Sequence, residues 1–214
     1  MPYKNIIFDL DGTLIDSARS ILSSLQAALD AADICPNLPL DQSLIGPPLP
    51  QIMAEVLGKE HQERIPEIIE RFKAHYDAMG YLNTVVYPGI SEMLAQLQQK
   101  NIDLYIATNK RIIPTLNILY HLKWNGYFKK VYSLDYFTPA VADKSTMLAR
   151  VCDDLNNDIK DLVYVGDRSE DAEAAKKNRM PFLSASWGYG EKVVNIGCDG
   201  VLISPEQIIN FAET

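Results

Sequence analysis

Four aspartates, whose carboxylates could bind a cation or act as nucleophiles, fall into two short motifs of this 214-residue chain. Asp9 and Asp11 come directly after one apolar run, and Asp167 and Asp171 follow another. Converging carboxylates repel one another unless a cation lies among them, and Mg²⁺ prefers such oxygen ligands together with water and phosphate. A carboxylate can also attack phosphorus and form an aspartyl phosphate. These residues therefore indicate metal-assisted phosphoryl transfer.

Further polar residues complete the set that such a reaction needs. A second carboxyl group two positions after a nucleophile, here Asp11, can act first as an acid and then as a base. Thr108 and Asn109 follow a third apolar run, and Lys144 begins a predicted helix. A hydroxyl, an ammonium and the backbone N–H groups of the Gly12–Thr13 turn can hold phosphoryl oxygens as their charge shifts.

Each motif alone has an ordinary structural alternative. Asp11 and Gly12 could form a hairpin turn, with residues 13–15 as the returning strand. Thr108 and Asn109 could cap the next helix, and Lys144 could be a solvated surface lysine. The order of all these motifs in one chain favours the catalytic interpretation.

Strands and helices alternate along most of the chain, and this alternation must position the motifs. Short apolar runs predict buried strands, and helical spacing predicts helices between them. The predicted strands are 5–8, 104–107, 131–134, 162–165, 181–183 and 200–203. The predicted helices are 90–99, 112–121, 144–155, 169–177 and a final one from Ser204. The pattern is that of an α/β fold with a Rossmann-like parallel sheet covered by helices on both faces. In such sheets ligands bind beyond the carboxyl ends of the strands, where the motifs stand.

The block of residues 16–83 differs from the rest because it contains helical patterns and prolines but no convincing strand. We predict an inserted small α-helical cap domain over 16–83 and an α/β core domain over 1–15 and 84–214. A cap that closes over the strand ends would exclude water and contact the substrate. The loop at residues 44–48 either faces that substrate or is a proline-rich connector.

Composition narrows the classes of partner. Apolar residues make up 47% and charged residues 22% of the chain, and the net charge is −8, which argues against a nucleic-acid binder. The three cysteines form no CxxC pair, which favours a cytoplasmic location. No apolar stretch approaches the roughly 20 residues that span a bilayer. We expect a small phosphorylated metabolite as partner, and neither nucleic acid nor membrane; the sequence leaves monomer or homodimer open.

The motifs resemble those of the haloacid dehalogenase superfamily, and most closely its phosphoglycolate phosphatase branch. Residues 9–14 read Asp-Leu-Asp-Gly-Thr-Leu, residues 108–110 read Thr-Asn-Lys, and Gly166 and Asp167 precede Asp171. Residues 87–89 and 187–190 are similar to segments typical of that branch. The resemblance covers essentially the whole chain.

This resemblance implies a role for each aspartate. Asp9 would be the nucleophile and a Mg²⁺ ligand, and Asp11 the acid and base whose backbone carbonyl also binds the metal. Asp167 would complete the metal site, while Asp171 would support it and orient the lysine.

The remaining site residues follow from the same resemblance. Thr108 and Asn109 would bind the phosphoryl group, and Lys144 would be the catalytic lysine, although Ser145 follows it where the family usually has proline. Lys110 is its competitor for that role. Arg168 replaces the usual Thr or Ser, and we expect it to point into solvent.

The expected activity is Mg²⁺-dependent hydrolysis of a small phosphomonoester through an aspartyl phosphate on Asp9, with phosphoglycolate as the first candidate. A sugar-phosphate mutase of the beta-phosphoglucomutase type would use the same motifs, and pyrophosphate is another candidate substrate. Dehalogenation is disfavoured because it needs neither an acid at Asp11 nor a metal. The alternative from another class is a non-catalytic phospholigand-binding module.

Overall fold

The computed structural model describes residues 3–155, 161–190 and 197–212. Eight strands lie in these ranges: β1 (Asn5–Phe8), β2 (Ile15–Asp16), β3 (Val85–Val86), β4 (Asp103–Thr108), β5 (Phe128–Ser133), β6 (Leu162–Gly166), β7 (Phe182–Ala185) and β8 (Gly200–Leu202). Six of them form one sheet in the order β5-β4-β1-β6-β7-β8, and every neighbouring pair is parallel.

Strand β1 lies inside the sheet and shows why the predicted strands are unbroken apolar runs. Ile6 and Phe8 pack into the hydrophobic cluster on one face, whereas Ile7 packs into the cluster on the other. Because successive side chains of a strand alternate between faces, a strand covered on both sides has apolar residues on both faces, as Ile6, Ile7 and Phe8 show here.

Seven α-helices lie in the described residues: α1 (Ala18–Asp30), α2 (Leu49–Leu57), α3 (Ile65–Ala78), α4 (Ile90–Gln99), α5 (Ile112–His121), α6 (Lys144–Leu155) and α7 (Ser169–Lys177). Helices α4 and α5 contribute to the core on one face of the sheet, and α6 and α7 to the core on the other. The predicted Rossmann-like α/β fold is confirmed. The predicted final helix is instead a 3₁₀ segment, Pro205–Phe211. Within the described ranges, none of the helices has the length and apolar composition needed to cross a membrane.

The helices α1, α2 and α3, called the cap helices below, have a hydrophobic cluster of their own that includes Leu25, Met53 and Phe72. A short antiparallel ribbon stands where the chain enters and leaves this block, with Ile15 opposite Val86 and Asp16 opposite Val85. The hairpin alternative is therefore wrong, because β2 pairs with β3 and not with β1. The division at residues 16 and 83 stays a prediction.

Candidate active site

Three buried aspartates converge at the carboxyl ends of the two central strands. Asp9 follows β1, Asp167 follows β6, and Asp171 lies in the first turn of α7. One carboxylate oxygen from each lies within 4.8 Å of the other two. Strand β1 has β4 on one side and β6 on the other, which is where sheets of this kind bind ligands.

The ammonium of Lys144 lies between two of these aspartates. Its Nζ is 2.5 Å from Asp171 Oδ1 and 3.2 Å from Asp9 Oδ1. Only 7% of Lys144 is exposed, so the surface-lysine alternative is wrong. Burial lowers the pKa of Lys144, but the charges of Asp171 and Asp9 outweigh it and hold that pKa above its ordinary value. Lys144 therefore supplies a fixed positive charge beside Asp9.

Negative charge nevertheless exceeds positive charge in this cluster. Burial raises the pKa of Asp9 to about 7; Lys144 opposes this rise, while Asp171, Asp167 and Asp11 add to it. Burial and then Asp171 raise the pKa of Asp167 to about 6. The buried Asp9 Oδ1 accepts no hydrogen bond from the described part of the chain, and its contact with Lys144 is an ion pair. Clustered hard oxygens with a shortage of positive charge fit a Mg²⁺ ion.

Asp167 and Asp171 are held by donors from neighbouring segments. Asp167 Oδ1 accepts a hydrogen bond from the Thr13 hydroxyl at 3.2 Å, and Oδ2 accepts one from the Tyr189 N–H at 2.8 Å. Asp171 Oδ2 accepts hydrogen bonds from the N–H groups of Asp167 at 3.2 Å and Arg168 at 3.0 Å. These bonds fix the carboxylates in place before any ligand arrives.

The turn at Gly12 and Thr13 shapes the site, but its own donors are already used. The Gly12 N–H donates to Ile15 O at 2.9 Å and the Thr13 N–H to Leu10 O at 3.3 Å, because the chain reverses tightly there. The Thr13 hydroxyl donates to Asp167. Thr13 thus helps to position Asp167 in this structure, and the binding of phosphate by Gly12 and Thr13 stays a prediction.

Glycine is required at two places around that turn. Gly12 has φ of +87°, and a Cβ there would lie 2.4 Å from Asp167 Oδ2. A Cβ on Gly188 would lie 2.3 Å from both Gly12 O and Asp167 Cβ. The motif glycine and the segment at 187–190 thus allow the chain to approach Asp167 closely.

The side chain of Asp11 stands apart from the three-aspartate cluster and pairs with Lys110. Lys110 Nζ lies 3.0 Å from Asp11 Oδ2 and 3.1 Å from Oδ1, and the Ser17 hydroxyl also donates to Oδ1. Burial lowers the pKa of Lys110, but Asp11 and Tyr76 outweigh it and raise that pKa above its ordinary value. Lys110 therefore pairs with Asp11, and Lys144 pairs with Asp9. The contact between Lys110 and Asp11 was not predicted from the sequence.

Thr108 and Asn109 lie at the end of β4, on the same rim. The Thr108 hydroxyl is buried and accepts a hydrogen bond from the Lys110 N–H at 3.3 Å. Asn109 Nδ2 donates to Gly46 O at 2.9 Å, and its buried Oδ1 has no hydrogen-bond partner within residues 3–155, 161–190 and 197–212. Both residues line the same cavity as Asp9 and Asp11, and their binding of a phosphoryl group stays a prediction.

A cavity of about 520 Å³ separates this rim from the cap helices. Asp9, Asp11, Thr108 and Asn109 line its floor. The loop predicted as either substrate-facing or a connector forms part of its wall, through Ile45, Gly46, Pro47 and Pro48.

Arg168 does not point freely into solvent, so that expectation is wrong. Its Nη1 donates to Ile45 O of the cap loop, and its Nε donates to Glu170 at 3.2 Å. A Cβ on Gly46 would lie 2.3 Å from Arg168 Cδ, so the two residues are in close contact. Arg168 ties the rim of the sheet to the loop above it.

The Tyr189 hydroxyl occupies the start of α1. It accepts hydrogen bonds from the N–H groups of Ser17 at 2.6 Å and Ala18 at 3.0 Å, and it donates to Asp16 Oδ1 at 2.7 Å. Ser17 makes no side-chain cap of its own. Residues 187–190 resemble a family segment, but their sequence does not predict that the Tyr189 hydroxyl contacts the first turn of α1.

Comparisons with known proteins agree with this geometry. The family described as haloacid dehalogenase-like hydrolase matches residues 6–185. A 5′-nucleotidase of Pseudomonas aeruginosa is 29% identical over 191 residues, which is 89% of this chain and 86% of that protein. A phosphoglycolate phosphatase of Agrobacterium fabrum is 31% identical over 188 residues, 86% of this chain and 80% of that protein.

A solved structure extends the comparison to the fold. The crystal structure of a predicted phosphatase from Clostridium acetobutylicum superimposes with a TM-score of 0.86 at 29% identity, covering 98% of this chain and all of that one. The chain therefore belongs to the haloacid dehalogenase-like hydrolase family, and it is a phosphatase of the branch similar to phosphoglycolate phosphatases.

Proposed function

We propose that this protein is a Mg²⁺-dependent phosphohydrolase that cleaves a small phosphomonoester through an aspartyl phosphate on Asp9, with phosphoglycolate as the first substrate to test. The observation that carries the proposal is the buried Asp9 carboxylate at the floor of a cavity, beside Lys144 and close to Asp167 and Asp171. Relatives named as a phosphoglycolate phosphatase and a 5′-nucleotidase support a phosphomonoester substrate.

The proposed metal site consists of the Asp9 and Asp167 carboxylates and the Asp11 backbone carbonyl. Asp171 supports this site through its hydrogen bonds from the Asp167 and Arg168 N–H groups. Bound Mg²⁺ would offset the charge of the phosphoryl oxygens and of the carboxylates around them.

In the first step the Asp9 carboxylate attacks phosphorus as the bond from phosphorus to the ester oxygen breaks. Asp11 gives a proton to the leaving alcohol, so that no alkoxide is released. In the second step Asp11 accepts a proton from a water molecule that attacks the aspartyl phosphate, which frees phosphate and restores Asp9. Lys144, Thr108 and Asn109 hold the phosphoryl oxygens while charge moves between them.

The first test measures phosphate release from a panel of phosphorylated metabolites, with Mg²⁺ and with a chelator. We expect turnover only with the metal, and we expect Asp9→Asn to lose turnover while it stays folded, as a cooperative thermal transition would show. Asp153→Asn, on the exposed side of α6, is the matched control and should keep full activity. More than a few per cent of wild-type turnover in Asp9→Asn would rule out the covalent mechanism.

A sugar-phosphate mutase of the beta-phosphoglucomutase type is the second candidate, because a mutase intermediate must reorient in the site. The cavity of about 520 Å³ under the cap helices leaves room for a sugar phosphate to rotate end over end. A mutase primed with a bisphosphate would isomerise a sugar monophosphate faster than it releases phosphate. Net phosphate release in that assay supports the hydrolase. The non-catalytic alternative is weakened because Asp9, Asp11, Asp167 and Asp171 are all present.

The proposed partner is a small phosphorylated metabolite, and the absence of nucleic-acid and membrane partners stays a prediction based on the net charge of −8 and the sequence pattern. The cytoplasmic location likewise stays a prediction. It is supported by Cys35, Cys152 and Cys198, which are free thiols.

A further inference from the structure

The wall of the cavity opposite Asp9 is apolar. The cap helices and the loop before α2 contribute carbon-rich side chains to it, among them Ile21, Leu49, Ile52, Ile69, Phe72 and Tyr76. The rings of Phe72 and Tyr76 are stacked, with centroids 5.3 Å apart and planes 11° from parallel. Covering the apolar parts of a ligand with such a surface lowers the free energy of the complex.

The cations that line the same cavity already face carboxylates of the protein, as far as the described residues show. Lys110 pairs with Asp11 at 3.0 Å. Arg111 makes a two-bond pair with Asp77 of α3, at 2.6 and 3.0 Å. A substrate carboxylate that recruited either cation would leave a half-buried or buried protein carboxylate without its partner, which is costly.

The third lining cation, Lys73, differs because its partner is exposed. Lys73 Nζ lies 2.7 Å from Glu70, whose side chain is 71% exposed, so that pair is weak. Lys73 is thus the one cation in the described lining that could turn to a substrate carboxylate at little cost, and the test below includes it.

Two neutral polar groups in the cavity lining find no hydrogen-bond partner among the residues that the structure describes. They are the buried Tyr76 hydroxyl and Asn109 Oδ1. An unpaired buried donor or acceptor favours a ligand that completes it. These groups suit a neutral hydroxyl on the substrate, because Tyr76 can donate to it and Asn109 can accept from it.

We infer that the alcohol part of the substrate is neutral and largely apolar, and that phosphate esters of such alcohols are better substrates than esters of hydroxy acids such as phosphoglycolate. The inference rests on the proposed function, since it concerns the leaving group of the same reaction. It follows from the apolar wall and from the carboxylate partners of Lys110 and Arg111.

The test compares kcat/KM of the wild-type protein with Mg²⁺ for benzyl phosphate, ethyl phosphate and phosphoglycolate. All three are esters of primary alcohols, so differences in reactivity are small and binding decides the order. We expect benzyl phosphate to exceed phosphoglycolate by about tenfold or more, and the similarly sized ethyl phosphate to exceed it as well. Preference for phosphoglycolate overturns the inference. If the protein hydrolyses neither these three esters nor p-nitrophenyl phosphate, the proposed function itself is contradicted.

Variants test the charge argument separately. Ile69→Arg places an unpaired cation in the cavity wall and should shift the kcat/KM ratio about tenfold towards phosphoglycolate. Ala74→Arg adds the same charge to an exposed position of α3 outside the cavity and should leave the ratio unchanged. Thermal melting confirms that each variant is folded. A folded Ile69→Arg protein with an unchanged ratio, or a Lys73→Met protein that selectively loses phosphoglycolate hydrolysis, contradicts the inference.

Discussion

At the residue scale, the reactivity of Asp9 is set by charges that act in opposite directions. Burial and the neighbouring Asp171 and Asp167 raise its pKa, while Lys144 lowers it. A nucleophilic carboxylate must be ionised, so Lys144 and the proposed Mg²⁺ both favour the reactive form. The same ammonium lies 3.2 Å from Asp9 Oδ1, beside the carboxylate that is proposed to attack phosphorus.

Replacing Lys144 with alanine should therefore lower kcat by about 10²–10³, the usual loss when one charge-stabilising donor is removed. Lys110→Ala should be milder, because Lys110 contacts Asp11 and not Asp9. Lys129→Ala, on a side chain that is 60% exposed, is the control and should be neutral. Steady-state kinetics on the best substrate measures all three. If Lys110→Ala is the crippling change and Lys144→Ala is nearly neutral, the assignment of Lys144 is wrong.

Individual site residues were predictable from sequence where a motif follows an apolar run. Asp9, Thr108 and Asp167 each end a buried strand, and the parallel sheet brings those ends together. The pairing of Lys110 with Asp11 was not predictable, because it joins side chains 99 positions apart whose directions depend on the loops around them. Arg168 was misjudged for the same reason, since its acceptor is a carbonyl of the cap loop.

At the element scale, the first turn of α1 depends on a side chain distant in sequence. The Tyr189 hydroxyl accepts from the Ser17 N–H at that helix end and shares the Ala18 N–H with Asp16 Oδ1, while Ser17 makes no side-chain cap. Helix ends need such partners because their first N–H groups have none within the helix.

Tyr189→Phe should consequently reduce the free energy of unfolding by about 1–3 kcal/mol, the cost of leaving partly buried polar groups unpaired. Tyr120→Phe, on a side chain that is 75% exposed, is the matched control and should change stability by less than about 0.5 kcal/mol. Urea unfolding monitored by circular dichroism gives both values. Equal stability of the two variants would show that water replaces the Tyr189 hydroxyl at the helix end.

The longer helices and strands were predictable from the sequence, whereas the shortest strands were not. Strands and helices of the core carry enough apolar residues to show their period, and the structure has them near the predicted positions. The ribbon of β2 and β3 was missed because two residues per strand are too few for any alternation. The final helix was predicted as α, but Pro205–Phe211 forms 3₁₀ turns that the sequence pattern does not distinguish.

At the scale of the whole molecule, the carboxylate cluster makes stability depend on pH. In the metal-free protein the pKa of Asp9 is raised to about 7 and that of Asp167 to about 6, against about 4 in an unfolded chain. The folded state therefore holds protons that the unfolded state releases in this range, and its stability falls as pH rises from about 4 to about 7.

We expect the urea midpoint of the chelator-treated protein to be lower at about pH 7.5 than at about pH 5.5. Asp9→Asn should reduce this difference, because it removes one of the groups that must ionise. Mg²⁺ should raise the wild-type midpoint at the higher pH, since it binds the folded state. An identical pH dependence in wild type and Asp9→Asn would contradict the charge imbalance described for this cluster.

The Asn109 amide couples ligand binding to the position of the cap loop at Gly46. Its Nδ2 carries two hydrogens, and one of them is donated to Gly46 O in the cap loop. Under the proposed function the second is available to a phosphoryl oxygen, so a single amide bridges the loop above and the ligand below. The loop contact changes the binding constant for phosphate by some factor. Thermodynamic linkage then requires that bound phosphate change the equilibrium constant for forming the loop contact by the same factor. If the loop contact favours phosphate binding, release of the phosphate product weakens the contact between Asn109 and Gly46 by the same factor.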